Sequence, residues 1–302
     1  MKLPASMRVF ERGWLSSNNI LFTGSTETVL VDTGYATHAE QTVALVAHAL
    51  QGRRLDRIVN THLHSDHCGG NAALQRAYAC RTSIPVAEAD KVRAWDEDAL
   101  TYKATGQQCL RFTFDDTVSP GDVLILGDMT WQALAAPGHD PHSLIYYCAD
   151  ERILISADAL WENGFGVVFP ELEGEPGFGE VRATLELIAT LDVKLVIPGH
   201  GAPFTEVGKA LETAFSRVEY FMGDPARNAQ NAVKVLLKFL LLERQQIPLE
   251  ELQPLLSRMR LFGESNRRYL NKPPEELAQW AAAQLVRAGA AEVAGGVLRN
   301  KD

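Results

Sequence analysis

Short apolar segments separated by turns dominate the first third of the chain. Asn19–Gly24 and Thr28–Asp32 are rich in apolar and β-branched residues, which is typical of strands, and a hairpin turn is predicted at Gly24-Ser25 between them. Apolar residues then recur at helical spacing over residues 38–50. The next apolar segment, Arg57–Asn60, predicts a buried strand that leads directly into a group of histidines.

The middle of the chain repeats this pattern of strands and turns. Strands are predicted at Asp122–Leu126, Thr130–Ala135, Ser143–Cys148, Arg152–Ser156 and Lys194–Ile197. A helix is predicted over about residues 180–191. Strands that are apolar throughout need cover on both faces, so the pattern predicts an α+β fold in which helices enclose the sheets.

The pattern changes near residue 205. Beyond it, helices are predicted at about 206–222, 226–244, 248–259 and 274–288. A hairpin around Gly295-Gly296 follows them. The charge balance changes at the same point, since residues 1–204 carry 15 basic and 26 acidic side chains and the remainder carries 14 and 12. We therefore predict a larger domain over residues 1–205 and a smaller, mainly helical, winged-helix-like domain over residues 206–302.

Composition narrows the class of protein. The chain has 302 residues, 46% of them hydrophobic, which is enough for a buried core. Its formal net charge of −9 argues against a non-specific polyanion binder. The four cysteines are too sparse for a disulfide scaffold, and no segment is as long and apolar as a membrane span or a signal peptide. We expect a cytoplasmic protein that acts away from membranes.

Several side chains that can bind metals follow the predicted strands. They are His62, His64, Asp66, His67, His139, Asp158 and His200. In an extended segment alternate side chains share a face, so His62, His64 and Asp66 project together. Such nitrogen and oxygen donors bind borderline cations such as Zn²⁺. The set is too large for one ion, and two ions sharing a carboxylate and a hydroxide would use all of it; ligation lowers the pKa of the bound water to about 7.

Structural roles are the alternative explanation for single members of this set. Asp158 alone would fit a helix N-cap, and His200 alone would fit a hydrogen bond within a loop. The H-x-H-x-D-H segment at residues 62–67 has few structural explanations, because three histidines and an aspartate fall within six positions. His38 and His48 belong to a predicted helix and are expected to have no role in metal binding.

The motifs resemble those of the metallo-β-lactamase superfamily. They appear in the family's order as Val31-Asp32-Thr33-Gly34, the segment 62–67, Pro137-Gly138-His139, Ser156-Ala157-Asp158 and Pro198-Gly199-His200-Gly201. The resemblance covers about residues 15–205 and implies an αβ/βα four-layer sandwich with the site at one edge. It assigns His62, His64 and His139 to metal 1. It assigns Asp66, His67 and His200 to metal 2, with Asp158 bridging.

The donor set also narrows the branch of the superfamily. The best-known β-lactamase subclass has cysteine in place of Asp158, and flavodiiron proteins have glutamate in place of His64. The chain therefore resembles glyoxalase II, lactonase and ribonuclease relatives more closely. This implies a hydrolase with two Zn²⁺, or Fe or Mn, whose bridging hydroxide attacks a thioester or ester and whose catalytic carboxylates are Asp66 and Asp158. The alternatives are an endoribonuclease or phosphodiesterase, and a metal-binding protein without turnover.

Residues 161–179 form a connection rich in glycine and aromatic residues. It is either a loop packed over the sandwich or an apolar wall for the substrate, with Trp161, Phe165 and Phe169 nearest the metals. His142 is a further candidate for substrate contact. Asp32 is expected to hold the histidine loop through hydrogen bonds.

A small-molecule substrate is favoured over nucleic acid. The helix predicted at 274–288 would be the recognition helix of a winged-helix module, yet it begins with Pro274-Glu275-Glu276. Carboxylates would therefore meet phosphates at a helix end where amides are needed. Arg267, Arg268 and Lys272 precede this helix and form a basic strip. We expect the second domain to pack on the first or to complete its pocket.

Overall fold

Two β-sheets pack face to face between helices in the computed structural model, which describes residues 3–301. The first sheet has six strands, and their bounds in chain order, β1 to β6, are Met7–Phe10, Asn19–Thr23, Thr28–Val31, Arg57–Val59, Arg81–Pro85 and Asp116–Val118. Strands β1, β2 and β3 pair antiparallel, and β3 to β6 pair parallel. The predicted hairpin at Gly24-Ser25 is confirmed, since it joins β2 and β3.

The second sheet has five strands, β7 to β11, at Val123–Leu126, Met129–Ala135, Leu144–Cys148, Ile153–Ala157 and Leu195–Pro198. Their order across the sheet is β11-β10-β9-β8-β7. Strands β10 and β11 run parallel, and the other neighbours run antiparallel. The carboxyl ends of β10 and β11 therefore lie at the same edge of the sheet.

Helices α1 to α7 span Ala39–Leu50, Ser65–Cys68, Asn71–Tyr78, Ala89–Ala94, Tyr102–Thr105, Phe169–Glu173 and Phe178–Thr190.

Alternate side chains of β2 face opposite sides of the first sheet, which shows how the layers form. Ile20 and Phe22 pack between the sheets with the fully buried Trp131, whereas Leu21 packs on the opposite side with Val46 of α1. Helix α7 covers the far face of the second sheet. The predicted αβ/βα four-layer sandwich is confirmed.

The C-terminal region is mainly helical. Helices α8 to α12 span Val207–Met222, Ala226–Arg244, Leu252–Leu256, Arg260–Ser265 and Pro274–Arg287. Strands β12 to β14, at Gln246–Pro248, Ala291–Ala294 and Val297–Asn300, form a small antiparallel sheet. The helix predicted at 248–259 is wrong at both ends. Pro248 is held in an extended strand by pairing with β14, and the chain becomes extended again at Met259.

Packing links the C-terminal region to the sandwich in two places. Helix α8 buries Ala214 and Val218 in the same core as α7. Helices α9 to α12 share a core of their own, and Val167 and Leu172 from the connection after β10 reach into it. The boundary between residues 205 and 206 stays a prediction, and the outer ends of the two predicted domains, residues 1, 2 and 302, lie outside the described residues.

Candidate metal centre

The predicted metal donors converge at one edge of the sandwich, and all of them are buried: His62, His64, Asp66, His67, His139, Asp158 and His200. Residues 62–67 follow β4 and run into α2. His139 lies on the loop between β8 and β9. Asp158 directly follows β10 and His200 follows β11, so the parallel pair delivers both side chains to the same edge.

Three histidines form the first donor set, which we call the imidazole set: His62, His64 and His139. His62 Nε2 lies 3.1 Å from His64 Nδ1, which lies 2.8 Å from His139 Nε2. Nitrogens that bind one Zn²⁺ tetrahedrally, at about 2.0–2.1 Å each, are separated by about 3.3 Å. The nitrogens of the imidazole set therefore converge at a spacing close to the one a shared ion requires.

The second donor set, which we call the carboxylate set, consists of Asp66, His67, Asp158 and His200. His200 Nε2 lies 3.0 Å from Asp66 Oδ2, and His67 Nε2 lies 3.4 Å from Asp158 Oδ1. The other oxygen of Asp158 lies 3.3 Å from His139 Nε2, in the imidazole set. One carboxylate therefore faces both sets, which is the arrangement expected of a bridging ligand.

The contacts of the two ring nitrogens of His67 show whether these residues fit a metal ion. Its Nε2 atom is buried and has no hydrogen-bond partner among the described residues. Its Nδ1 atom lies 2.8 Å from Asp32 Oδ2. Buried polar atoms are nearly always satisfied, and a histidine that binds a metal usually places its other nitrogen against a carboxylate or carbonyl. The geometry of His67 thus fits a divalent cation at Nε2.

Asp32 holds the histidine loop in place. The Thr61 amide donates a hydrogen bond to Asp32 Oδ1 at 2.9 Å, and the Thr61 hydroxyl donates to Oδ2 at 2.7 Å. Together with the contact to His67, these bonds confirm the supporting role expected of Asp32. Close approach of the β11 end depends on Gly199, because a Cβ atom there would clash with Oδ1 of Asp158.

Burial controls the protonation of the imidazole set. It lowers the pKa of His64 and of His139 to about 4. Burial, together with the neighbouring rings, lowers the pKa of His62 well below its usual range. These rings are neutral near pH 7, so their lone pairs are available to a cation.

Charge outweighs burial in the carboxylate set. Burial alone would lower the pKa of His67, but Asp158, Asp32 and Asp66 raise it well above the usual value for histidine. Burial would likewise raise the pKa of Asp158, but His67 and His200 hold it well below its usual range. In the metal-free chain a proton on His67 balances the carboxylates, and a bound divalent cation would supply that charge instead.

Comparison with known proteins shows the family of this chain. The family model described as the metallo-beta-lactamase superfamily matches residues 12–200. The chain belongs to the metallo-beta-lactamase superfamily. Hydroxyacylglutathione hydrolases from Rhodopseudomonas palustris and Rhizobium etli are 35% and 28% identical to it, over 119 and 130 residues. The alignments cover 39% and 43% of this chain and the same shares of the two relatives, so they span less than half of each relative's length.

A solved structure resembles this superfamily member over nearly its whole length. A metallo-beta-lactamase family protein from Thermus thermophilus has a TM-score of 0.60 and 18% sequence identity. The match covers 99% of this chain and 100% of the other, so the likeness in fold includes the C-terminal helical region. Within residues 3–301, each helix is too short or too polar to cross a membrane.

A cavity of about 550 Å³ opens beside the donors of this superfamily member. The sandwich forms one side, and α8, α9 and α12 form the other. Three aromatic residues of the connection after β10 line it: Trp161, Phe165 and Phe169. Their contact with substrate stays a prediction. The Phe169 ring lies 5.2 Å from His64 and 5.3 Å from His139 between ring centroids, so it covers the imidazole set.

Sequence reasoning missed Trp14, which lies on the loop before β2. Its ring stacks on His200 at 5.4 Å with an interplanar angle of 10°, although 55% of the residue is exposed. Trp161 meets the same ring at 5.5 Å and donates a hydrogen bond from Nε1 to Asp158 Oδ1 at 3.2 Å. Two tryptophans thus flank the carboxylate set. A lone tryptophan far from the metal motifs carries no signal that would have indicated this position.

His142 does not line the cavity. Its Nδ1 atom lies 2.5 Å from Glu88 Oε1 and 3.3 Å from Lys91 Nζ. The hydrogen bond with Glu88 raises the pKa of His142. Contact between His142 and substrate stays a prediction, while the observed contacts place its ring in a separate polar cluster with Glu88 and Asp140.

Proposed function

We propose that the chain is a dinuclear zinc hydrolase that cleaves thioester or ester bonds. The observation that carries the proposal is the position of Asp158, whose two oxygens face the imidazole set and the carboxylate set respectively. A carboxylate between two donor sets suits a pair of cations a few ångström apart. The two relatives named hydroxyacylglutathione hydrolase support thioester chemistry for this site.

Each donor set would bind one of the two cations. The imidazole set would hold one Zn²⁺, and Asp66, His67 and His200 would hold the other, with Asp158 touching both. When bound, the metal pair supplies Lewis acidity and a nucleophilic hydroxide near neutral pH. The protein fixes this geometry through Asp32, which orients His67, and through the Val167 carbonyl, which lies 2.5 Å from His139 Nδ1.

The cavity favours an acyl substrate. Its carboxylates, Asp66 and Asp158, belong to the metal centre, and much of the remaining wall is apolar. Apolar walls with a few placed polar groups are typical of sites for small organic molecules. Phe169 covers one donor set and Trp14 the other, so an acyl group at the centre would meet aromatic surface on both sides.

The predicted basic strip does not favour the ribonuclease alternative. Arg267 and Arg268 both pair with Glu264, and Lys272 pairs with Glu276. The neighbouring carboxylates offset these positive charges, so the strip attracts phosphates weakly. A small-molecule partner agrees better with these contacts.

Purified protein loaded with zinc should be tested on a thioester, a lactone, a cephalosporin and a short RNA. We expect the thioester or the lactone to be cleaved fastest. Asp158→Asn, which removes the shared charge, should reduce that activity on the order of 10³-fold. His48→Gln on the exposed face of α1 serves as the matched control. Cleavage of RNA alone would replace the proposal with the phosphodiesterase alternative. Metal binding without cleavage of any of the four would replace it with a binding function.

A further inference from the structure

The wall of the cavity opposite the metal centre carries basic side chains. Arg217 from α8, Lys234 and Lys238 from α9 and Arg287 from α12 line it, and Arg287 is exposed. The cavity's carboxylates, Asp66 and Asp158, both belong to the metal centre. The basic residues therefore line the cavity without acidic residues of their own.

Arg217 is held in place without a polar partner. Within residues 3–301 its side chain makes no hydrogen bond or ion pair. Its guanidinium carbon lies 5.4 Å from the centroid of the Phe165 ring and 5.3 Å from that of Phe221. Gly164 lies against the guanidinium, and a Cβ atom there would come within 2.8 Å of an Arg217 nitrogen. Rings and backbone thus fix the position of this cation, and its N–H donors have no hydrogen-bond acceptor among the described residues.

Lys234 repeats this arrangement beside Arg217. Its side chain too makes no hydrogen bond or ion pair in the described part of the chain. Burial, together with the charge of Arg217, lowers the pKa of Lys234, and burial lowers that of Arg217. Two neighbouring cations in a partly buried wall repel each other and lose hydration, and both effects disfavour the arrangement unless an anion binds.

The other partly buried cations of the same helices differ from this pair. Arg227 of α9 pairs with Asp224. Lys238, one turn beyond Lys234, also borders the cavity, but it donates hydrogen bonds to the Ala290 carbonyl at 2.9 Å and to Asn300 Oδ1 at 2.7 Å. Lys209 of α8 and Arg244 of α9 also lack polar partners, but both are exposed, whereas Arg217 and Lys234 are partly buried.

We propose that Arg217 and Lys234 form an anion subsite that binds a carboxylate or phosphate group of the substrate. This rests on the proposed function and deepens it. The substrate class becomes an ester or thioester whose labile bond lies at the metals, whose middle part is apolar and whose far end is anionic. The side chains of Val235 and Phe239 on α9 line the cavity and would contact the apolar part. Hydrogen bonds between charged groups are strong enough for such a subsite to control specificity.

The test compares anionic and neutral substrates of the same shape. S-butanoyl thioesters of ω-mercaptoalkanoic acids of increasing length are measured beside the matching ω-mercapto amides and ω-mercaptoalkyl phosphates. We expect kcat/KM to favour one anionic series over the amides by about 10- to 100-fold at one chain length, mainly through KM. The carboxylate and phosphate series then distinguish the two kinds of anion. Equal kcat/KM for anionic and neutral substrates at all lengths would overturn the proposal.

Substitutions at Arg217 and Lys234 test whether these two residues cause the preference for anionic substrates. Arg217→Gln and Lys234→Gln should each reduce the ratio of anionic to neutral kcat/KM towards one. Lys209→Gln is the matched control, because Lys209 lies on α8, is exposed and does not line the cavity. A ratio that stays at the wild-type value in both cavity variants would also overturn the proposal.

A binding measurement separates this proposal from the proposed function. Calorimetry with the S-butyl thioethers of the same acids and phosphates, which cannot be hydrolysed, reports anion binding in the metal-free protein. Binding that Arg217→Gln weakens about 10-fold or more would support the subsite even if no thioester is cleaved. Thioester cleavage without anion preference, and thioether binding that does not depend on Arg217, would refute the subsite and leave the hydrolase intact.

Discussion

The two donor sets of the metal centre lie side by side but are built from different chemistry. The imidazole set contains three histidines whose pKa values are lowered by burial, to about 4 for His64 and His139. The carboxylate set contains two aspartates, and their charges raise the pKa of His67 despite its burial. Burial therefore keeps the histidines of the imidazole set neutral and able to bind a cation. In the carboxylate set the negative aspartates keep a proton on His67, and a cation that binds there must replace this proton.

Because of this difference, two cations in the same cluster would depend on pH in different ways. Neutral nitrogens bind a cation without releasing a proton, whereas binding at His67 releases one. Asp158 connects the sets, because its oxygens lie 3.4 Å from His67 Nε2 and 3.3 Å from His139 Nε2. The sets should therefore respond differently to pH and to supporting mutations, and alike to the loss of Asp158.

The largest effect is expected from Asp158→Asn. The substitution keeps the shape of the side chain but removes the negative charge that faces both sets, so the cations would repel each other with less compensation. We expect metal content to fall from two equivalents towards one, and turnover to fall on the order of 10³-fold. Elemental analysis and steady-state kinetics measure both quantities. Two equivalents of metal with normal turnover in this variant would show that Asp158 does not connect the sets. The control variant His48→Gln should behave as wild type.

The pH dependence of metal binding should separate the two sets. Because the pKa of His67 is raised, protons compete with the cation of the carboxylate set, and its affinity should fall about tenfold for each pH unit between pH 7 and 5. The imidazole set should hold its cation until the pH approaches 4, where His64 and His139 become protonated. Titration with buffered free zinc at several pH values measures both equivalents. A single transition shared by both would contradict the distinction.

Effects of intermediate size on cation affinity are expected from the carboxylates that lie beside the metal-binding histidines. Asp32 Oδ2 lies 2.8 Å from His67 Nδ1, whereas Asp140 Oδ2 lies 3.6 Å from His64 Nε2, which is too far for a hydrogen bond. Asp32→Asn should weaken the cation of the carboxylate set by about 10- to 100-fold. Asp140→Asn should change the affinity of the imidazole set much less. Competition with a chelator ranks the two variants, and the opposite order would be evidence against the roles assigned to them.

The smallest effects are expected from the aromatic residues above each set. Phe169→Ala, beside the imidazole set, and Trp14→Ala, beside the carboxylate set, should raise KM by a few-fold each, since an aromatic contact contributes about 0.5–1.5 kcal/mol beyond burial. Metal content should stay at the wild-type value. Loss of a metal equivalent in either variant would show that the ring supports a ligand rather than the substrate.

Much of the fold could be predicted because its periodicity is local. Helices predicted at 206–222, 226–244 and 274–288 begin and end within one residue of the observed bounds. The helix predicted at 248–259 failed because pairing of Pro248 with a distant strand determines the local backbone. Whether α8 packs on the sandwich could not be predicted, because the periodicity of a helix shows which face is apolar but not which element covers that face.

The candidate metal donors could be predicted from the sequence alone, because H-x-H-x-D-H and the residues that follow β8, β10 and β11 specify both the donor types and the strand ends that carry them. The family resemblance already implied their division into two sets. The opposite pKa shifts of the two sets come only from the tertiary structure, since both burial and the approach of Asp158 to His139 depend on how the two sheets meet. The same holds for Trp14 on His200 and for Arg217 beside Lys234. These pairs are distant in sequence or on different helices, and only packing brings them together.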